Sequence, residues 1–270
     1  MHSVAFEALG YTIYWYGIFA AVAFLLGFYT AGQRAPRDGV SADFIMNLAP
    51  WIIGGAILGA RLLYVTTYYQ EEFANKPWYE MFLLRRSGLV FYGGLLGGSL
   101  ATVIYCLKEK VPILKVADIL APSIPLGHVF GRVGCLMTGC CYGRPTDLPW
   151  GIHFPMDHWT HGVKVHPTQI YESALNALLF GCLIWFSRRK RFDGHVFAVY
   201  LICYALLRSL VERFRGDYPE DLRPWGGLLT PGQWVSVGIL AGGILLLCLL
   251  PKLAKAKSLA TTANTNKNNP

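Results

Sequence analysis

The sequence is dominated by apolar segments that are long enough to cross a lipid bilayer. A helix that spans the hydrocarbon core needs about 20 predominantly apolar residues. Six segments come close to that length: Tyr14–Gly32, Phe44–Val65, Gly88–Leu107, Thr168–Ser187, Val196–Val211 and Gln233–Leu250. A weaker seventh segment, Val116–Val133, is interrupted by prolines and carries Asp118, His128 and Arg132. Because backbone polar groups find no water in lipid, such segments form helices. The pattern therefore predicts an all-α integral membrane protein with a bundle of seven transmembrane helices.

Charged residues are scarce, and most of them lie between the apolar segments. They make up 15% of the chain, whereas a soluble domain carries about 25%. The formal net charge of +8 is explained by basic connections, since cytoplasmic connections collect Lys and Arg. The charge therefore does not indicate nucleic acid as a partner.

The basic residues of alternate connections predict the orientation in the membrane. With the N-terminus outside, thirteen Lys and Arg residues fall on the inner side and eight on the outer side. The positive-inside rule then predicts that the N-terminus is outside and the C-terminus inside. Residues 1–257 are predicted to form a single multi-pass membrane domain. The polar, low-complexity residues 258–270 are predicted to form a disordered cytoplasmic tail.

Arg132 lies in a glycine-rich stretch, Gly131–Arg144, at the end of the interrupted segment. Glycines let the backbone turn tightly and approach a ligand closely. A guanidinium offers a planar fork of donors that suits a phosphodiester. Alternatively, the side chain of Arg132 extends to the layer of lipid headgroups and binds no specific ligand. The spacing alone does not separate these two interpretations.

Two other segments align polar side chains on one helical face, since residues three or four apart are neighbours on a helix. The first face carries Tyr204, Arg208, Glu212 and Arg215, and the second carries Gln169, Glu172 and Asn176. A structural ion pair and a polar stripe inside the bundle would produce the same spacing. Both interpretations therefore stay open at the level of the residues.

Seven short motifs follow one another along nearly the whole chain: Tyr14-Trp15-Tyr16-Gly17, Gly59-Ala60-Arg61, Phe91-Tyr92-Gly93-Gly94, Gly131-Arg132-Val133-Gly134, the stretch from His166 to Glu172, the set Tyr204, Arg208 and Glu212, and Pro231-Gly232-Gln233. In this order they resemble the prolipoprotein diacylglyceryl transferase family. The resemblance implies a seven-span helical transferase domain with a small periplasmic part in the bacterial inner membrane. It also implies transfer of a diacylglyceryl group from phosphatidylglycerol to the lipobox cysteine of a prolipoprotein signal peptide. The products would be a thioether and glycerol 1-phosphate, in the first step of lipoprotein maturation, with no metal or organic cofactor.

The resemblance also implies roles for particular residues. Arg132 matches the phosphatidylglycerol-binding arginine of the family, and Arg208 matches its second essential arginine. The expected phosphatidylglycerol-binding residues are Arg132, Tyr16, Arg61 and Gly143. The expected catalytic residues are Tyr92, Arg208, Glu212 and Tyr204.

The sequence departs from the family pattern at three positions. Tyr92 stands where the best-known members have a histidine, Cys135 where they have an asparagine, and Cys140 where they have a glutamate. A histidine would be a ready base for the acceptor thiol. A tyrosine, with an ordinary pKa of about 10, would act as a base only if nearby arginines favour its phenolate. Tyr92, Glu212 and the leaving phosphate therefore remain alternative proton acceptors.

Three cysteines, Cys135, Cys140 and Cys141, are close together in the glycine-rich stretch. Their spacing matches no common zinc pattern, and we expect packed free thiols. A Cys135–Cys140 disulfide and a metal site are the alternatives.

Three rival functions fit parts of the sequence. A transporter would bind an anion through the same arginines, but transporters typically consist of repeated halves, and the sequence contains no repeat. A membrane-anchored metal-binding protein is suggested only by the cysteines. A family relative with another acceptor is suggested only by Tyr92.

Overall fold

The computed structural model describes residues 4–8, 11–74, 76–82, 88–217 and 229–267, and these contain eight α-helices. They are α1 (Trp15–Arg34), α2 (Ala42–Thr67), α3 (Phe91–Lys108), α4 (Ile113–Leu120), α5 (Ser123–Thr138), α6 (Thr168–Ser187), α7 (His195–Glu212) and α8 (Pro231–Lys267). The protein is mostly helical, as predicted. The bounds of α6 coincide with those of the apolar segment in the sequence.

Within the described part of the chain, five helical segments are long and apolar enough to cross a membrane: Trp15–Asp38, Ala42–Thr67, Thr168–Ser187, His195–Glu212 and Pro231–Lys252. A sixth candidate is the pair α4 and α5, which are bent by 41° relative to each other. The break falls at Ala121 and Pro122, where the sequence predicts an interruption, because proline has no backbone N–H to donate. These helices confirm an integral membrane protein of the α class.

The helix α3 overlaps the third predicted segment, Gly88–Leu107, but is not among the six candidates. The count of seven spans and the orientation therefore stay predictions. Arg85, Arg86 and Arg223, which enter the charge count, lie outside the described residues.

The chain divides into two compact units, residues 31–116 on the one hand and residues 1–30 with 117–270 on the other. In the smaller unit, α2 and α3 pack with their backbones in close contact. A Cβ added to Gly59 would lie 2.9 Å from the Cα of Gly97. Glycines allow this approach, and close backbone packing is a main source of helix association in membranes.

Asp118 is one of the charged residues in the interrupted segment, and it is buried in the larger unit. Its carboxylate accepts hydrogen bonds from the backbone N–H groups of Gly194 and Phe197, both at 2.9 Å, at the start of α7. The Nζ of Lys190 lies 3.6 Å away. A carboxylate at a helix N-terminus satisfies orphan donors and is favoured by the helix dipole. Asp118 is therefore a structural cap.

The described residues also contain two short antiparallel hairpins, which the all-α prediction lacks. They are β1 (Val4–Ala8) with β2 (Tyr11–Tyr14), and β3 (Ile152–His153) with β4 (Lys164–Val165). Aromatic and β-branched residues, which favour strands, are frequent in the first hairpin.

The last helix, α8, extends to Lys267. Side chains beyond Lys252 lie outside the described residues. The division into a domain of residues 1–257 and a tail of residues 258–270 stays a prediction.

Candidate active site

Two arginines on different helices share one buried carboxylate. Arg132 on α5 donates a hydrogen bond of 2.8 Å from Nη2 to Oε1 of Glu172 on α6. The Nη1 of Arg208 on α7 lies 3.9 Å from the same oxygen and 2.9 Å from Oε2 of Glu212, one helical turn further along α7. The three helices are thus linked by a continuous series of ion pairs.

This network continues beyond the end of α7. The Nη1 of Arg215 lies 3.9 Å from Oε2 of Glu212. The same guanidinium donates two hydrogen bonds to Asp217, at 2.9 and 2.6 Å. Among the described residues, three guanidinium groups therefore alternate with three carboxylates.

Burial differs between the two ends of the network. The side chains of Glu172 and Glu212 are 5% and 0% exposed, whereas those of Arg132 and Arg208 keep 19% and 13% of their surface. At the other end the order is reversed, since Arg215 is 8% and Asp217 is 19% exposed. An anion therefore meets accessible guanidinium groups at Arg132 and Arg208.

Glu212 is enclosed by the segment that starts α8. Thr230 donates a hydrogen bond of 2.9 Å from its hydroxyl to Oε1 of Glu212. A Cβ on Gly232 would lie 2.7 Å from the same oxygen. Thr230 and Gln233 also form a reciprocal helix cap, in which each side chain accepts a hydrogen bond from the backbone N–H of the other. In the Pro231-Gly232-Gln233 motif, Gly232 therefore lets the start of α8 pack closely on the carboxylate of Glu212, and Gln233 caps the helix.

The part of the glycine-rich stretch that follows α5 is held to the start of α6 by hydrogen bonds. Gly139 caps α5 in the left-handed conformation, with φ of 78°, which glycine adopts without strain. The next two carbonyl groups accept side-chain hydrogen bonds. The Nε2 of Gln169 donates to the carbonyl of Cys140 at 2.7 Å, and the hydroxyl of Thr168 donates to that of Cys141 at 2.6 Å. These contacts account for the polar residues at the start of α6.

Gly143 lies where three backbone segments meet. Its N–H donates to the carbonyl of His166 at 3.0 Å, and it forms a bridge with Arg215. An added Cβ would lie 2.7 Å from the His166 carbonyl and 2.8 Å from that of Phe214. A side chain has no room at this position, so Gly143 sets the path of the backbone that carries Arg215.

Two of the predicted site residues in the larger unit are tyrosines, Tyr16 and Tyr204. Tyr16 on α1 is half exposed and packs on Gly134 of α5, where an added Cβ would lie 3.1 Å from its ring. Tyr204 on α7 packs between the rings of His128 and Tyr200, with centroid distances of 5.4 and 5.8 Å.

Arg61 and Tyr92 lie in the smaller unit. Arg61 is buried and donates hydrogen bonds to the carbonyl groups of Met81, Glu80 and Gly88 at 2.7, 3.1 and 3.3 Å. These contacts give Arg61 a structural role. Tyr92 is the second residue of α3, with 54% of its surface exposed. Its phenol is therefore accessible to a ligand.

All seven cysteines are free thiols, so the disulfide alternative is not formed in this structure. The Sγ atoms of Cys135, Cys140 and Cys141 lie within 4.8 Å of one another. Hydrogen bonds from Cys135 and Cys141 lower the pKa of the Cys140 thiol, and Thr138 and Arg132 act in the same direction. Burial, followed by the charge of Asp217, raises the pKa of the neighbouring Tyr142 phenol.

Six of the eight predicted site residues lie in the larger unit, and only Arg132, Arg208 and Glu212 share the ion-pair network. The helical spacing predicted the Arg208–Glu212 pair. The same spacing placed Glu172 on a polar face of its helix, but the sequence analysis gave Glu172 no role. A carboxylate inside an apolar segment needs a partner of opposite charge, and this requirement could have indicated the pair with Arg132.

Helices that are long and apolar enough to cross a membrane, with a buried ion-pair network between three of the helices, define an integral membrane protein with a candidate functional site among its helices. A family model described as prolipoprotein diacylglyceryl transferase matches residues 3–249. The chain belongs to this family of transferases.

Several relatives are similar over almost their full length, and each is named phosphatidylglycerol–prolipoprotein diacylglyceryl transferase. The protein from Clostridium tetani is 36% identical, over 90% of this chain and 96% of its own. The protein from Finegoldia magna is 36% identical, over 91% and 94%. The protein from Idiomarina loihiensis is 34% identical, over 87% of each chain. The family resemblance and the assignment as an enzyme are thereby confirmed.

Proposed function

We propose that this protein transfers the diacylglyceryl group of phosphatidylglycerol to the lipobox cysteine of prolipoprotein signal peptides. The products are a thioether and glycerol 1-phosphate. The names of the relatives support this reaction. The observation that carries it is the accessible guanidinium pair, Arg132 and Arg208, on the shared carboxylate of Glu172.

Arg132 and Arg208 bind the phosphodiester of the lipid. Both guanidinium groups keep exposed surface while their carboxylate partners are enclosed. A phosphate oxygen therefore adds to the open side of a network that already fixes the two donors. During the reaction the leaving phosphate gains negative charge, and fixed donors in a site of low dielectric stabilise such charge strongly.

The reaction balances as a substitution at carbon. The sulfur of the lipobox cysteine forms a bond to the diacylglyceryl carbon, and the bond from this carbon to the phosphate oxygen breaks. The electron pair of the broken bond stays on the phosphate, and the thiol proton passes to a base. An oxygen of the leaving phosphate is the favoured acceptor, because both oxygens of Glu212 already contact Thr230 or an arginine.

The other predicted residues of the larger unit support this site. Glu212 orients Arg208, and Gly143 sets the backbone path near Arg215. Tyr16 and Tyr204 shape the walls of the lipid site. In the smaller unit, Arg61 holds the segment that precedes α3, and Tyr92 is exposed near the start of that helix. The family resemblance supports a contact of Tyr92 with the lipid headgroup.

The protein acts in the bacterial inner membrane as a single domain of residues 1–257 with seven spans. The N-terminus and a small periplasmic part are outside, and the C-terminal tail is inside. The excess of basic residues on the predicted inner side supports this orientation.

The reaction is tested with purified protein, phosphatidylglycerol and a lipobox peptide. We expect a thioether product by mass spectrometry and an equal amount of glycerol 1-phosphate. Arg132→Ala should abolish both, whereas Arg189→Ala should not. Arg189 packs on Trp185 at the far end of α6 and serves as a matched arginine control. Equal product from Arg132→Ala and wild type would refute the proposed role of this residue.

A further inference from the structure

The cluster of Cys135, Cys140 and Cys141 has no role in the proposed reaction. Two of these thiols stand where the family pattern has an asparagine and a glutamate. Their Sγ atoms lie within 4.8 Å of one another, and Cys140 is exposed. Three soft donor atoms thus converge at a position that an ion can reach from outside the protein.

The distances suit a thiolate-bound metal ion. Zinc binds cysteine sulfur at about 2.3 Å, so three sulfurs around one zinc ion are separated by about 3.8–4.0 Å. The present separations, all within 4.8 Å, are close to this range. Thiolate ligands favour Zn²⁺, Cu⁺ and similar soft ions over Mg²⁺ or Ca²⁺.

Binding also has a simple balance of charge. The three thiols are neutral when protonated, and each releases its proton to the medium as the ion binds. Three thiolates and one Zn²⁺ then carry a net charge of −1, whereas three thiolates without an ion would carry −3. Three protein ligands leave a fourth position open to water or an external thiol.

The backbone that carries the cluster is fixed before any ion arrives. Cys135 lies in the last turn of α5, and Cys140 and Cys141 follow the left-handed cap at Gly139. Gln169 and Thr168 anchor the carbonyl groups of Cys140 and Cys141. Binding therefore requires little ordering of the chain.

We propose that Cys135, Cys140 and Cys141 form a three-thiolate binding site for a soft metal ion of the Zn²⁺ type. The spacing in the sequence does not predict this site, because the α5 terminus and the turn at Gly139 bring the thiols together. The site is separate from the proposed transferase reaction, which requires no metal.

The test measures Zn²⁺ binding to the full-length protein in detergent. The protein is reduced and freed of metal, all seven thiols are confirmed by titration, and Zn²⁺ is added in competition with a chromophoric chelator. We expect one ion per chain. Cys140→Ser and Cys141→Ser should each weaken binding by more than about 100-fold, since even partners of metal ligands contribute about 10–100-fold.

Cys182→Ser is the matched control, because Cys182 is an exposed thiol of α6 outside the cluster. It should bind Zn²⁺ as the wild type does. Co²⁺ gives a second readout, with sulfur-to-metal charge-transfer bands that the cluster variants should lose. Absence of tight binding in the fully reduced protein would overturn the proposal. Retained binding in the Cys140→Ser, Cys141→Ser double variant would also overturn it.

The transferase assay on the same preparations separates the two proposals. Failure of metal binding with normal thioether formation refutes the metal site alone. Metal binding without thioether formation refutes the proposed reaction alone.

Discussion

Arg132 and Glu172 connect α5 to α6 through a hydrogen bond of 2.8 Å, although they are 40 residues apart in the chain. The carboxylate is almost completely buried, and Arg208 of α7 approaches the same oxygen. Glu172 is therefore the point at which the charges of three helices meet. Its negative charge fixes both guanidinium groups, and a lipid phosphate adds to their open side.

Replacing Glu172 by glutamine tests this relationship. Glu172→Gln keeps the shape of the side chain but leaves two arginines with less negative charge. Breaking a buried pair costs about 3–5 kcal/mol, so we expect a lower melting temperature in neutral detergent. Added phosphatidylglycerol should raise the melting temperature of the variant more than that of the wild type, because its phosphate replaces the lost charge. An equal shift with diacylglycerol, which has no phosphate, would contradict this explanation.

Arg208→Lys tests whether the planar fork of donors is required. Lysine keeps the charge but contacts Glu212 and a phosphate as a single point. We expect the rate of thioether formation to fall about 10²–10³-fold, as for other electrostatic donors in active sites. The melting temperature should change little. Wild-type activity in Arg208→Lys would show that charge alone is sufficient.

Gly143→Ala tests the backbone junction. An added methyl group would lie 2.7 Å from the His166 carbonyl and has no room. We expect a loss of stability of about 1–3 kcal/mol, typical of overpacking, and a reduced yield of folded protein. Gly181→Ala is the matched control, because nothing lies within 4 Å of the added group. Helix propensity should make that variant slightly more stable. Equal melting temperatures for the two variants would refute the role of Gly143 as a close contact.

Tyr92→Phe separates two roles for the exposed phenol. If Tyr92 only contacts the headgroup, as we propose, loss of one hydrogen bond of about 1 kcal/mol should raise KM for phosphatidylglycerol several-fold. The value of kcat and its pH profile should stay unchanged. A large fall in kcat with an altered pH profile would identify Tyr92 as the base. Unchanged KM and kcat across the pH series would mean that the phenol has no role.

Local interactions explain what was predictable from the sequence. Hydropathy indicated the membrane helices because lipid imposes a minimum apolar length on each span. The prolines at positions 122 and 125 indicated the break before α5, and the four-residue spacing indicated the pair of Arg208 and Glu212. The motifs, read in order, indicated the family.

The sequence by itself therefore determined the membrane class, the family and those contacts that lie within one helical turn. Only the tertiary structure decided that Glu172 links Arg132 to Arg208, that Gly143 is a backbone junction, and that three thiols converge after α5. Helical periodicity assigns a residue to a face of its own helix. Which residue of another helix that face meets depends on the packing of helices far apart in the chain, and no local pattern encodes it.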